Sequence, residues 1–128
     1  MARFSSVRTF LTGADLLAKR LVKLSAGAVV NNTAAATDDM IGVTEVNALT
    51  GEPVGVRLLC TDESQEMTAA GAIGLNAVAY AAADGKIQAL PVGAGTYRKV
   101  GITLEAATAD GDIIEVLPYS FSEITTVP

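Results

Sequence analysis

From Leu21 onward, apolar residues fall in short runs broken by Gly, Asn, Asp, Ser and Pro. The breaks recur at roughly 8–12-residue spacing, the rhythm of short strands joined by turns. The runs are Leu21–Leu24, Ala28–Val30, Met40–Val46, Gly55–Cys60, Glu66–Thr68, Asn76–Tyr80, Ile87–Leu90, Lys99–Leu104 and Asp112–Leu117, with Ala72-Ile73 as a shorter one. Pro91 and Pro118 each stop a run, since proline cannot donate to a strand ladder. The first twenty residues read differently. Phe4, Val7, Phe10 and Leu11 stand at i, i+3, i+6 and i+7, a weak helical spacing.

Two Asp-Gly pairs sharpen the β reading. Asp84-Gly85 and Asp110-Gly111 are each flanked by β-type residues, a strong hairpin signal because both tolerate positive φ. Alanine is the counter-signal, with 22 of 128 residues, and alanine is a poor strand former. Its clusters (34–36, 79–83, 106–107) are interrupted by Gly and Asx before two helical turns complete, so they read as loops and tight packing sites. The pattern predicts an all-β fold: a compact sandwich or barrel of about ten short strands with flexible terminal arms. The expected organisation is an N-terminal arm over 1–12, a β domain over 13–118 and a C-terminal tail over 119–128.

A faint internal repeat runs through these runs. Gly42-Val43-Thr44 leads to Gly51-Glu52-Pro53-Val54 and Val56, and Gly101-Ile102-Thr103 leads to Gly111-Asp112-Ile113-Ile114 and Val116. A similar echo links Ala26-Gly27-Ala28-Val29 to Ala70-Gly71-Ala72-Ile73. Two hairpins of one design, or simple reuse of glycine turns, would each give this pattern.

Composition then narrows the function. Leu, Ile, Val and Phe make 35 of 128 residues, enough for a core without metals or disulfides. The longest apolar run, Ala77–Ala83, is too short to cross a bilayer, and no secretory signal is read after Arg3 and Arg8. There is no His, which removes imidazole from triads, dyads and metal sites. A single Cys60 excludes an internal disulfide and a four-thiolate zinc site. A net charge of -5, no Trp and few aromatics argue against phosphate backbones and single-stranded bases.

The remaining candidates for chemistry read as ordinary structure. Asp38-Asp39 and Asp62-Glu63 with Glu66 lack the differing environments an acid–base pair requires, and the spacing of a calcium loop. Gly93-Ala94-Gly95 and Gly71-Ala72-Ile73-Gly74 lack the ending of a phosphate loop. Cys60, close to Asp62 and Glu63, is expected to be a buried and inert thiol. Lys86 sits at an expected hairpin tip, where lipoyl or biotinyl carrier domains display a modified lysine, but Gly85 separates it from the nearest acid.

The ordered set of pieces resembles a known family. Val22–Gly27, Ile41-Gly42-Val43, Gly51–Val56, Ala70–Ile73, Ala83–Ile87, Val100–Ala107 and Gly111–Val116 are similar in order to the small capsid cement, or head decoration, proteins of tailed bacteriophages. The resemblance covers about Gly13 to Leu117. The arm and the tail lie outside it, and Asn76 stands where the family often has Gly-Asp.

The resemblance implies a non-enzymatic, β-rich virion protein on the outer surface of an icosahedral head, made in the host bacterial cytoplasm. Its implied partners are the major capsid protein and copies of itself, a trimer being favoured. It implies no cofactor, no catalytic residue, no nucleic acid, no membrane and no small-molecule substrate. The terminal segments hold all three Phe and one of three Tyr, and aromatics are enriched in interface cores. Arg3, Phe4, Arg8, Phe10, Tyr119 and Phe121 are therefore the expected capsid or protomer contacts. Two other readings stand beside this one: a small β-barrel carrier or ligand-binding domain using Lys86, and a small enzyme using Asp or Glu with Tyr80 or Tyr97.

Overall fold

A computed structural model describes residues 7–60 and 63–128. Among them are eleven strands: β1 Val7–Leu11, β2 Leu21–Ser25, β3 Ala28–Asn31, β4 Met40–Thr44, β5 Pro53–Leu58, β6 Gln65–Thr68, β7 Val78–Ala81, β8 Ile87–Gln88, β9 Gly95–Thr103, β10 Ile113–Pro118 and β11 Ile124–Val127. One 3-10 turn, Ala83–Gly85, joins β7 to β8. The strands make two antiparallel sheets packed as a sandwich. The first has the order β1-β5-β4-β2-β3, and the second β6-β10-β9-β7-β8, with β11 added beside β9.

The two orders are the same order, and the repeat extends to the register. Thr44 faces Val56 and Gly42 faces Leu58, as Thr103 faces Val116 and Gly101 faces Pro118. The β2–β4 ladder slips between Val22 and Lys23, and the β7–β9 ladder slips between Ala79 and Tyr80. Leu16 and Ala48 exchange backbone hydrogen bonds, and so do Ile73 and Ala107. A parallel bridge from Thr12 to Val29 brings the edges of the first sheet together, and one from Ala69 to Ile87 does the same in the second. Each half is therefore a curled five-stranded unit closed on itself, which leaves short edges.

The same device pins each unit. The Thr44 hydroxyl donates to the Leu17 carbonyl (2.7 Å) and accepts from the Arg20 N–H (3.1 Å). The Thr103 hydroxyl donates to the Gly74 carbonyl (2.7 Å) and accepts from the Ala77 N–H (2.9 Å). Lys19 (φ 60°) and Asn76 (φ 57°) hold matching left-handed turns just before these contacts. A Cβ on Gly42 would overlap the Arg57 carbonyl, and one on Gly101 the Leu117 carbonyl. The first echo seen in the sequence is thus a true structural repeat. The second is corrected: Ala26-Gly27 matches Asp84-Gly85, both turns at positive φ, while Ala70–Ile73 matches Gly13–Leu16.

The cores repeat as well. Leu16, Val22, Val29, Ala48, Val54 and Val56 fill the first unit. Their matches Ile73, Ala79, Ile87, Ala107, Ile114 and Val116 lie in the larger cluster, which Leu21, Met40 and Val43 of the first unit also enter. That entry is the joint between the halves. Thr68 donates to the Lys19 carbonyl through its N–H (3.0 Å) and its hydroxyl (2.9 Å). Gln65 donates to the Leu58 carbonyl (2.8 Å), and the Gly85 N–H to the Asn32 carbonyl (2.8 Å).

Both terminal segments contain paired strands. Val7–Leu11 pairs along its whole length with β5. In an extended chain Arg8 and Phe10 share a face, and the Arg8 guanidinium lies 5.1 Å from the Phe10 ring centre. The helical spacing of Val7 and Phe10 was coincidental, and the ladder decides the conformation. Ile124–Val127 pairs with Gly95–Arg98, which is why β9 starts four residues earlier than its apolar run. Ala72-Ile73 forms no strand, only the bridge from Ile73 to Ala107.

Candidate functional site

The ionisable side chains act as loop fasteners. Asp15 accepts from the Thr50 N–H and hydroxyl, each at 2.9 Å, and those bonds hold its carboxyl below the usual range. Asp112 accepts from the Thr108 N–H and hydroxyl and the Ala109 N–H, with the same effect. Asp38 is lowered by the Thr33 hydroxyl and then by Lys23. Glu123 is lowered by Lys99, whose own pKa is raised in return. Every shift favours the charged form, and a general acid or base near neutrality would need the reverse. Among the described residues no three acidic or thiol ligands converge.

The singled-out residues are placed as follows. Asp38 and Asp39 are split: Asp38 turns to Lys23, and Asp39 pairs with Arg98. Glu66 pairs with Lys19 and Glu63 with Arg57, while Asp62 lies outside the described residues. Lys86 is not displayed at a tip. Gly85 before it is buried against the first unit, and the ammonium is 2.7 Å from Asp110. Cys60 is half-buried rather than buried, because it follows β5 at the surface, within 3.9 Å of the Glu63 carboxylate. Tyr80 bonds to Thr125 and Tyr97 to the Gly93 carbonyl, and among the described residues no Asp or Glu is buried.

Of the expected contact residues, Arg3 and Phe4 lie outside the described residues. Arg8 is exposed on β1, and Phe10 packs against the first core. Tyr119 is exposed just after β10. Phe121 is half-buried, and its carbonyl accepts from Arg98. Arg8 and Phe10 share one face of β1, and Tyr119 and Phe121 share the turn before β11; the two pairs sit on different units.

A further surface escaped the sequence reading. The loops 12–20 and 45–52 meet at one end of the first unit around a cleft of about 360 Å³ lined by Asp15, Leu16, Leu17, Asn47, Ala48 and Leu49, with Glu52. Leu17 and Leu49 are 52% and 62% exposed there. The matching loops of the second unit expose Leu75 and Leu104. A large apolar residue inside a turn-rich segment was the available signal, and it was hidden because single exposed leucines are common.

Comparison with known proteins agrees with this architecture. A family profile described as phage cement protein matches residues 17–118. The chain belongs to the phage cement protein family. The match spans most of the chain and includes β2 to β10. No curated protein matches this cement protein. Among solved structures it is similar to the head fiber gp8.5 N base of bacteriophage phi29, with a TM-score of 0.70 and 15% identity over 90% of this chain and 94% of that one. At that identity the likeness speaks to the fold. The cement protein therefore has a structural role in a phage capsid, with which it associates.

Proposed function

We propose that this cement protein binds the outer surface of an icosahedral head, bridges neighbouring copies of the major capsid protein, and works as a cyclic oligomer, three chains being favoured. The observation that carries the reading is the family match over 17–118, on a fold in which Asp15, Asp38, Asp112 and Glu123 fasten loops. It acts without turnover, is made in the host cytoplasm and resides in the virion. A clamp that touches two shell subunits favours the intact lattice, because it binds the assembled form better than the dispersed one. Several contacts per clamp multiply modest affinities through effective concentration.

The terminal segments, with Arg3, Phe4, Arg8, Phe10, Tyr119 and Phe121, supply contacts to the shell or to a neighbouring protomer. The loop end with Leu17 and Leu49 supplies a second shell contact. Its exposed apolar side chains and shallow cleft suit insertion of a side chain from the shell.

The test is electron microscopy of purified heads with and without added protein, paired with quantified occupancy. The expected result is ordered density outside the shell at repeated lattice positions, and a lower occupancy for Leu49→Glu. Bare shells at saturating protein would reject the reading.

A further inference from the structure

We propose that copies of this chain join end to end by reusing the joint that already binds its two halves. The inference rests on the self-association part of the proposed function and not on head binding.

The joint is heterologous. The first unit contributes Lys19, Leu21, Val43 and the Leu58 carbonyl, and the second contributes Gln65, Met67, Thr68 and the Gly85 turn. These are different faces of one repeated fold. Carried across the repeat, Lys19 corresponds to Asn76, Leu21 to Val78, Val43 to Ile102 and Leu58 to Pro118. Gln65 corresponds to Arg8, Met67 to Phe10, Thr68 to Leu11 and Gly85 to Gly27. So the second unit carries an unused copy of the first face, and the first unit an unused copy of the second.

Exposure tells the used faces from the unused ones at Thr68 and Leu11, Met67 and Phe10, Leu21 and Val78, and Gly85 and Gly27, while Pro118 is itself buried. Thr68 is 4% exposed, and its counterpart Leu11 is 59% exposed. Met67 and Leu21 are fully buried, while Phe10 and Val78 are half-buried. Gly85 rests on the first unit so closely that a Cβ would lie 2.5 Å from the Leu21 carbonyl. Gly27 makes the same left-handed turn with nothing within 4 Å of that position. The open faces have kept the needed character. Phe10 and Leu11 are apolar on one side, Val78 and Ile102 on the other, and Arg8 stands where Gln65 donates, opposite the position of the Pro118 carbonyl. A face that repeats head to tail either closes into a ring or runs on as a filament, and closure leaves no apolar end exposed. Three chains would place six units around one axis.

The full chain is tested in solution. All cysteine variants carry Cys60→Ser. Leu11→Cys protein and Asn76→Cys protein, the counterparts of the Thr68–Lys19 contact, are oxidised separately and mixed. We expect disulfide-linked chains from the mixture and none from either alone, and closed covalent rings from the double variant. Leu11→Glu, at an exposed position, is expected to keep the wild-type circular dichroism and melting temperature while weakening each junction at least about tenfold in sedimentation. Ile102→Glu attacks the opposite face; because Ile102 is half-buried it is expected to lower the melting temperature as well as weaken the junction, and the mixed disulfide reads the same face independently of stability. An oligomer of wild-type size that survives both substitutions and gives no mixed disulfide would overturn the inference and leave the proposed trimer standing. A monomer at every concentration would overturn both, and head occupancy, measured separately, would stand apart from either result.

Discussion

Replacing Thr103 by valine tests whether a hydrogen-bonded hydroxyl, rather than its volume, holds each unit closed. Thr103 is 1% exposed, and its hydroxyl bridges the Gly74 carbonyl and the Ala77 N–H. Valine keeps the shape and removes both bonds. Each net bond is worth about 1 kcal/mol, and a buried partner left unpaired adds to that cost, so we expect a loss of about 2–3 kcal/mol. Serine keeps both bonds and loses one methyl, for about 1 kcal/mol. The order, valine worse than serine, is the diagnostic result. Urea unfolding at one fixed protein concentration is the assay, since the self-association proposed above would couple stability to concentration. Thr44→Val should cost a similar amount, because Thr44 bridges the Leu17 carbonyl and the Arg20 N–H in the other unit. The sites share no partner, so the double variant should be additive within about 0.5 kcal/mol. If Thr103→Val proves as stable as Thr103→Ser, or more so, packing and not the hydroxyl bridge closes the unit.

Three further outcomes are expected. Gly101→Ala should lower the melting temperature by more than about 10 °C, because its Cβ would collide with the Leu117 backbone, whereas Gly74→Ala, in open space, should be neutral or slightly stabilising in the same calorimetric scan. Stability should fall as pH drops. Asp15, Asp38, Asp112 and Glu123 have folded pKa values below their unfolded ones, so their contribution is present above the ordinary carboxylate range and is lost as pH falls through the folded values; Lys99 is shifted up, so its contribution is lost only as pH rises past the ordinary lysine range. Urea midpoints between pH 7 and 3 should decline, and less steeply for Asp112→Asn. Arg98→Met should cost about 1–3 kcal/mol in urea unfolding, since the guanidinium ties the Phe121, Ala36 and Asp38 carbonyls and Asp39 together across the two halves.

The strands were legible where turn chemistry was explicit. Asp84-Gly85 and Asp110-Gly111 announced the β7–β8 and β9–β10 connections, and Gly111 does sit at φ 94°. β1 and β11 were not, because their conformation comes from partners far along the chain: Pro53–Arg57 for one, Gly95–Arg98 for the other. A local pattern such as the spacing of Val7 and Phe10 carries no trace of such pairing. The repeat was half legible for the same reason. Gly42 and Gly101 are required by close backbone approach, and Thr44 and Thr103 by their bridges, so those letters persist and the eye finds them. The core positions tolerate any apolar residue of fitting volume, so Leu16 against Ile73 or Val22 against Ala79 leaves no visible match. The loop-end surface left even less trace, since an exposed leucine looks like a buried one in a sequence.

The differences between the halves are as informative as the matches. Positions that close a unit are held to Gly, Thr and small apolar residues in both copies. Positions at the joint diverge: Thr68 against Leu11, Lys19 against Asn76, Gln65 against Arg8. At the inner joint these residues answer only to a partner in the same chain, present at very high effective concentration, so polar contacts suffice. A face that must capture a separate chain pays translational entropy on each association and gains from larger apolar burial. Leu11 in place of Thr68 is a change in that direction. The cleft loops diverge too, with Asp15, Leu17 and Leu49 on the first unit facing Ala72, Gly74 and Thr108 at the matching places. Within a duplicated fold, the architecture resides in what both halves share. The surfaces that meet other molecules are to be sought where the halves part.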